Sequence, residues 1–313
     1  MDDCIDEGIP IYQYRNFKAM EGTMQREQHK LGINEDVRFV FVDVPPNVID
    51  KLRLSDSRAI REIDKPKRFV LFEKPSRFHE VSTYQSQLML QRVLRRAGVC
   101  RCFLFAGSAL EPQKSDTKQK AADVNGYLRP KYVPNSVAAD WPQIVMEVGV
   151  SQSMPSLQEA AQFWVEEGGV NMSIVLTMKF EEHRIVLSAW GKDARGNFSL
   201  VDEMVAQKAS SSKGYVVTSD TQALAFAFET LLLGPPSSDK PEFIAVTAQD
   251  FTTMLNATDE CFAPKLDRKR PKRASKELAK PAKRKLSWGM TEQPTLESIS
   301  CKRSSTSKLR RRR

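Results

Sequence analysis

Residues 140–178 constrain the fold of this chain more than any other stretch. Ile144, Met146 and Val148 alternate with Val145, Glu147 and Gly149, a periodicity that predicts a strand with Glu147 and Gly149 on one side. A carboxylate at the end of an apolar run is costly to bury unless something pairs with it, and a metal ion would do so. Next, Leu157, Ala160, Ala161, Trp164 and Val165 recur at helical spacing behind Ser153 or Ser156, with Gly168 and Gly169 placed to stop the helix. The apolar run 174–178 predicts a return to the sheet. Strand, helix and strand, with an acid closing the first strand, is a layout on which active sites are often built.

Elsewhere the signals are weaker. Residues 1–35 are polar and weakly periodic, and predict irregular structure. Residues 37–44 and 68–72 predict strands, the first ended by Pro45 and Pro46, so residues 1–79 read as an N-terminal extension with short strands. Val81, Tyr84, Leu88, Leu90, Val93, Leu94 and Ala97 predict an amphipathic helix over 80–97, ended by Gly98. A short buried strand over 100–106, a mobile polar loop over 107–122 and an extended run over 127–134 follow. Past the central stretch, 183–190 predicts a hairpin partner turned at Glu181 and Glu182. Residues 192–212 predict a turn at Gly196 and Asn197, then a flexible stretch, and 221–233 an apolar helix stopped by Gly234. A strand over 243–246 and a helix over 248–255 complete a core spanning 80–260. Trp141 and Trp164 are expected as core anchors, and His29, His79 and His183 share no spacing that suggests a site.

Charge divides the chain in two. Residues 265–313 hold 18 Lys and Arg against 4 Asp and Glu, a net of +14, so the remainder carries −5 of the total of +9. Few large apolar residues occur there, and the segment 261–313 is expected to be a disordered basic tail. Arg268, Lys269, Arg270, Lys272 and Arg273 form one basic cluster, and Lys283, Arg284 and Lys285 a second. Two clusters at short spacing fit a nuclear-import signal read by an import receptor, and also fit sequence-independent contact with nucleic acid. The 5 cysteines, Cys4, Cys100, Cys102, Cys261 and Cys301, are odd in number and lack paired C-x-x-C spacing, which supports neither a disulfide framework nor a zinc site. Reduced thiols fit a nuclear or otherwise cytoplasmic protein, no segment is long and apolar enough to span a membrane, and the acidic N-terminus is unlike a secretory signal.

The segment Trp141-Pro-Gln-Ile-Val-Met-Glu-Val-Gly-Val-Ser-Gln-Ser153, with the helix and Val-containing strand after it, resembles a group of uncharacterised fungal proteins. Those proteins are similar to the restriction-endonuclease-like superfamily, whose signature is PD-(D/E)XK, and the resemblance extends over roughly residues 80–255. It implies an α/β fold: a central mixed sheet, from strands near 100–106, 125–133, 143–149, 172–180 and 184–190, flanked by the 80–97 and 155–168 helices. It also implies two acids holding Mg²⁺ or Mn²⁺, which polarises a scissile phosphate and activates water, helped by a lysine two residues after the second acid. Glu147 matches the second acid and Asp123 the first, with Asp140 as competitor and Glu80 at an auxiliary position. Without a metal, Glu147 reads as an acid at a strand end with a solvent or backbone partner, and Asp123 as an ordinary turn residue. The sequence departs from the pattern in four places, one being Ser151-Gln-Ser153, where the fungal group has Ser-Glu-Ser. Gly149 stands at the lysine position, the helix 157–164 has no Lys or Arg, and Ala122 replaces the proline before the first acid.

Two functions are therefore expected. The first is a degenerate, inactive core in the nucleus that binds nucleic acid or a protein partner; the alternative is an active metal-dependent nuclease acting on DNA or RNA. If the basic clusters direct import, removing residues from 264 onward abolishes nuclear accumulation of an enlarged fluorescent fusion. Retained accumulation would overturn that reading.

Overall fold

In the computed structural model of this chain, residues 8–29, 36–53, 59–106, 110–112, 118–133, 141–168, 174–209, 214–232 and 241–262 are described. The chain opens with β1 (Ile11–Gln13), α1 (Phe17–His29), β2 (Val37–Val42), α2 (Pro46–Arg53), β3 (Ile60–Asp64) and β4 (Phe69–Lys74). Next come α3 (Arg77–Arg96), β5 (Phe103–Ala106), β6 (Leu110–Pro112), β7 (Lys118–Ala121), β8 (Val124–Leu128) and β9 (Ile144–Gly149). Then α4 (Met154–Gly168), β10 (Ile174–Phe180), β11 (Arg184–Lys192), β12 (Phe198–Lys208) and β13 (Tyr215–Val217) follow, with β14 (Ala223–Ala227), α5 (Phe228–Leu232), β15 (Phe243–Thr247) and α6 (Ala248–Phe262) last.

The fold is α/β with mixed sheets. The central one has seven strands in the order β13-β12-β11-β10-β9-β8-β5. β9 and β10 run parallel and the other neighbours antiparallel, the parallel pair being joined through α4. The period-two pattern of β9 sorts its side chains onto two faces. Ile144, Met146 and Val148 enter the larger core with Met89, Leu90, Val93 and Leu94 of α3 and Phe251, Met254 and Leu255 of α6. Val145 lies on the opposite face, against Ala161, Trp164 and Val165 of α4. Helices thus cover both faces, and burial of these apolar side chains is the main stabilising term. Ser76 caps α3 by accepting the His79 N–H at 3.1 Å, and Gly98, at φ +74°, lets the chain turn out of the helix as its spacing predicted.

A second sheet of six strands, β1-β2-β4-β3-β7-β6, packs α1 and α2 against Phe39, Phe41, Ile63, Val70 and Phe72. It takes β6 and β7 from beyond α3, out of the stretch expected as a polar loop. Lys118, Gln119 and Lys120 form a strand because partners exist for them: Gln119 opposes Ile63, and Glu62 opposes Lys120. The N-terminal region is likewise more regular than its composition suggested. Asn16 accepts the Ala19 N–H at 2.9 Å to open α1, whose Met20 and Met24 are buried four residues apart. Pro46, read as a strand terminator, is the first residue of α2, where its missing N–H costs nothing.

Two further expectations give way. Residues 198–208 form the longest strand of the central sheet, in place of a flexible stretch, because β11 pairs with them from Phe198 to Gln207 across one irregularity. Residues 223–227 form a strand, where a helix over 221–233 was expected. Their alternating Ala-Leu-Ala-Phe-Ala pairs with β15, and that pairing overrides the helix preference of Ala and Leu, leaving only the short α5. The 261–313 tail from residue 263 onward, with all its basic clusters, lies outside the described residues. Among the described residues no helix is long and apolar enough to cross a membrane.

Glu62 tests the β3–β7 seam. Its buried carboxylate pairs with Lys118 at 2.9 Å and Lys120 at 2.8 Å. Burial alone would raise its pKa, but the two ammonium groups outweigh that and hold it at about 2. A depressed pKa stabilises the fold above the ordinary value of 4.5 and loses that contribution as pH falls toward 2. Glu62→Gln should therefore cost about 2 kcal/mol at pH 7, and the gap to wild type should close between about pH 4.5 and pH 2 in urea denaturation. A gap that stays constant over that range would show the pairing to be inert.

Candidate functional site

Asp123 and Glu147 come together, and what joins them is an arginine from the other sheet. Asp123 sits just before β8 and Glu147 near the end of β9, on neighbouring strands. Arg61 Nη1 stands 3.0 Å from Asp123 Oδ1, Nη2 is ion-paired with Glu147 Oε2, and Nε lies 3.2 Å from Glu73 Oε2. Arg61 reaches them because β3 carries a bulge: Ile60 opposes Phe72 and Glu62 opposes Leu71, leaving Arg61 as the extra residue. Bulges of this kind re-aim a side chain away from the regular alternation.

Every carboxylate oxygen of the two acids is engaged. Asp123 Oδ2 accepts the Val148 N–H at 2.7 Å, and Oδ1 also faces His79 Nε2 at 3.1 Å. Glu147 Oε1 accepts the Trp164 indole N–H at 2.6 Å. The far side of the His79 ring, Nδ1, stands 3.2 Å from Asp36 Oδ2. Asp36 in turn accepts the Ser76 N–H at 2.7 Å and the Ser151 hydroxyl at 3.0 Å. Four carboxylates (Asp36, Glu73, Asp123 and Glu147) thus surround two cationic side chains, and all six side chains are buried.

Burial and pairing pull on these groups in opposite directions. For Asp123 burial alone would raise the pKa, but Arg61 and His79 outweigh it and hold the carboxyl well below the usual range. Burial pushes Glu147 up, and neighbouring Asp123 adds to this against the pull of Arg61. Burial would lower His79, yet Asp123 and Asp36 raise it well above its ordinary value, which favours an imidazolium between the two acids. Asp36 is held at about 2 by that same imidazolium against the effect of its own burial. Glu147 is thus pushed toward protonation while Asp36 and Asp123 are held ionised.

A divalent cation shared by Asp123 and Glu147, as the resemblance implies, does not fit this donor set. The guanidinium already ion-pairs with both carboxylates, and the remaining oxygens accept N–H bonds. The lysine position brings a correction as well. A lysine on Gly149 would find no room, since a Cβ there would lie 2.5 Å from Leu157 Cδ1 and 3.1 Å from its Cγ, in a fully buried side chain. An ammonium does lie near: Lys179 on β10 is in register with Gly149, but its Nζ donates to the carbonyls of Val150 at 3.2 Å and Gln152 at 2.5 Å. Glu80 is exposed on the first turn of α3. Asp140, with Arg268, Lys269, Arg270, Lys272, Arg273, Lys283, Arg284 and Lys285, lies outside the described residues.

Sequence reasoning passed over Arg61, Asp36, Glu73 and His79. The only local cue at Arg61 was an arginine between Ile60 and Glu62 in a short run, which no periodicity distinguishes from an exposed residue. His79 is a satisfied histidine, as its isolation suggested, but one of its partners is the first site acid. Trp164 is a fully buried anchor as expected, and in addition holds Glu147.

Removing the guanidinium leaves three carboxylates without their cation. Arg61→Ala should destabilise the protein by about 3–5 kcal/mol, and Glu147→Gln in the same chain should recover part of that loss. Equal and additive losses in chemical denaturation would show that the two groups do not interact. No family model and no curated protein matches the chain, so the site is read from its own residues.

Proposed function

We propose that this chain is a restriction-endonuclease-like scaffold without nuclease activity that works in the nucleus by binding nucleic acid through its basic tail. Arg61 carries the reading. Its guanidinium stands between Asp123 and Glu147, the position a catalytic cation would need, and it is tethered there by a bulged strand of the adjoining sheet. A phosphoryl group cannot be polarised by a cation whose charge is already spent on three buried acids. The nuclease-like ancestry is supported by the mixed sheet, the helices on both faces, and the placement of the acids on the neighbouring β8 and β9 segments. Nucleic acid is favoured as partner by the net +14 of residues 265–313 beside a body of −5, since clustered Lys and Arg supply the counterion-release term of binding. The import receptor is a second partner of the same clusters.

An active nuclease is the second reading, favoured by the convergence of the two acids and by Lys179 beside the missing lysine position. One set of measurements separates them. Wild type, Glu147→Ala and Gly149→Lys are incubated with DNA and RNA in Mg²⁺ and in Mn²⁺, and binding is followed with and without residues 263–313. The expected outcome is no cleavage by any variant, binding that weakens steeply with salt, and loss of binding on truncation. Gly149→Lys should also lose stability, because its side chain must displace Leu157. Wild-type cleavage that disappears in Glu147→Ala would overturn the proposal in favour of the nuclease.

A further inference from the structure

The neighbouring side of the same cluster has a different character. Asp36, Glu73 and His79 are all buried and each offers a ligand atom, these atoms lying within 4.8 Å of one another. They come from three places that the fold brings together: the residue before β2, the penultimate residue of β4, and the first turn of α3. Glu73 is the least satisfied acid of the cluster. Its Oε2 has no hydrogen-bond donor, because Arg61 Nε faces it at 3.2 Å without an aligned N–H. Its Oε1 has Gln152 Nε2, at 3.4 Å. A buried carboxylate left in that condition is costly unless a stronger partner is available.

We infer that Asp36, Glu73 and His79 form a binding site for a divalent transition-metal ion, separate from the Asp123–Glu147 pair that Arg61 occupies. His79 would ligate through Nδ1, the nitrogen that faces Asp36 Oδ2 at 3.2 Å. The other ring nitrogen, Nε2, keeps its N–H toward Asp123 Oδ1 at 3.1 Å. A carboxylate on the second nitrogen of a ligating histidine fixes its tautomer and aim, the arrangement metal sites commonly use. One imidazole and two carboxylates suit Zn²⁺ or Mn²⁺, whereas Mg²⁺ prefers oxygen ligands and keeps its water. The entry path is short. Ser151, an exposed residue, donates its hydroxyl to Asp36, so the site lies one side chain below the surface. Asp123 and Glu147 lie beside the triad, so four carboxylates gather where a dication would sit.

The test uses the full chain, freed of metal with a chelator and titrated with Mn²⁺, then with Zn²⁺ as competitor. One Mn²⁺ per chain is expected, with electron spin echo modulation from a single imidazole nitrogen, and displacement by Zn²⁺. The nitrogen signature should vanish in His79→Gln. The isosteric Glu73→Gln, which keeps the volume of the side chain, should weaken binding tenfold or more while the fold is retained. Glu147→Gln should keep one bound Mn²⁺ per chain with its imidazole signature, because Glu147 supplies no ligand, and its affinity should shift only through the Arg61 it shares with Glu73. Binding unchanged in Glu73→Gln, or the absence of a bound dication in wild type, would overturn the inference. Binding lost in Glu147→Gln but kept in Glu73→Gln would place the cation between Asp123 and Glu147, and would overturn the occupied-pair reading as well.

Discussion

One guanidinium organises the interior where the two sheets meet. Arg61 and Glu147 are 86 residues apart in sequence, yet their ion pair is buried on both sides. Charges taken out of water are costly, and the cost is offset only when geometry and hydrogen bonding are nearly complete. Here the completion comes from many elements at once. The bulge in β3 aims the arginine, α4 supplies the Trp164 N–H, β9 supplies the Val148 N–H, and α3 supplies His79. Shifting any one of these leaves a buried charge short of a partner, so the ion cluster fixes how the elements are mutually placed more than it adds net stability.

That arrangement also explains how Asp123 and Glu147 can be buried side by side. Repulsion between Asp123 and Glu147 would otherwise push them apart or keep one protonated. The arginine offsets that repulsion, and beside the pair Leu157 packs directly against Gly149. The apolar contact and the internal cation are two halves of one solution. A buried acid pair needs a positive charge beside it, and a glycine in a packed interior needs a neighbour to fill its volume.

The central sheet was legible because its strands and helices are buried on regular periods. Val148 and Ile144 on one face, with Val145 and Glu147 on the other, follow directly from the alternation, and Gly98 marks the end of α3 as its spacing said. The convergence of Asp123 and Glu147 was visible through the resemblance alone, since one lies ahead of its strand and gives no periodic cue. What stayed hidden depends on pairing between distant segments. Lys118–Ala121 is a strand only because Glu62 and Ile63 are there to meet it, and Ala223–Ala227 only because β15 is. Arg61 was hidden for a further reason: a bulge shifts the phase of a strand, and a sequence of five residues does not announce it.

The path of the chain between the sheets has its own consequence. After β5 the backbone leaves the seven-stranded sheet, builds β6 and β7 onto the edge of the six-stranded one, and returns to place β8 beside β5. The two sheets are therefore sewn together by covalent thread as well as by charge. No single cut of the backbone separates them into independent pieces, since a break near residue 80 strands the β6–β7 hairpin without β3 to lie against. In recombination terms, the boundary between the sheets is a surface in space with no matching point in the gene. A shuffled or transplanted version of either half must carry a segment of the other.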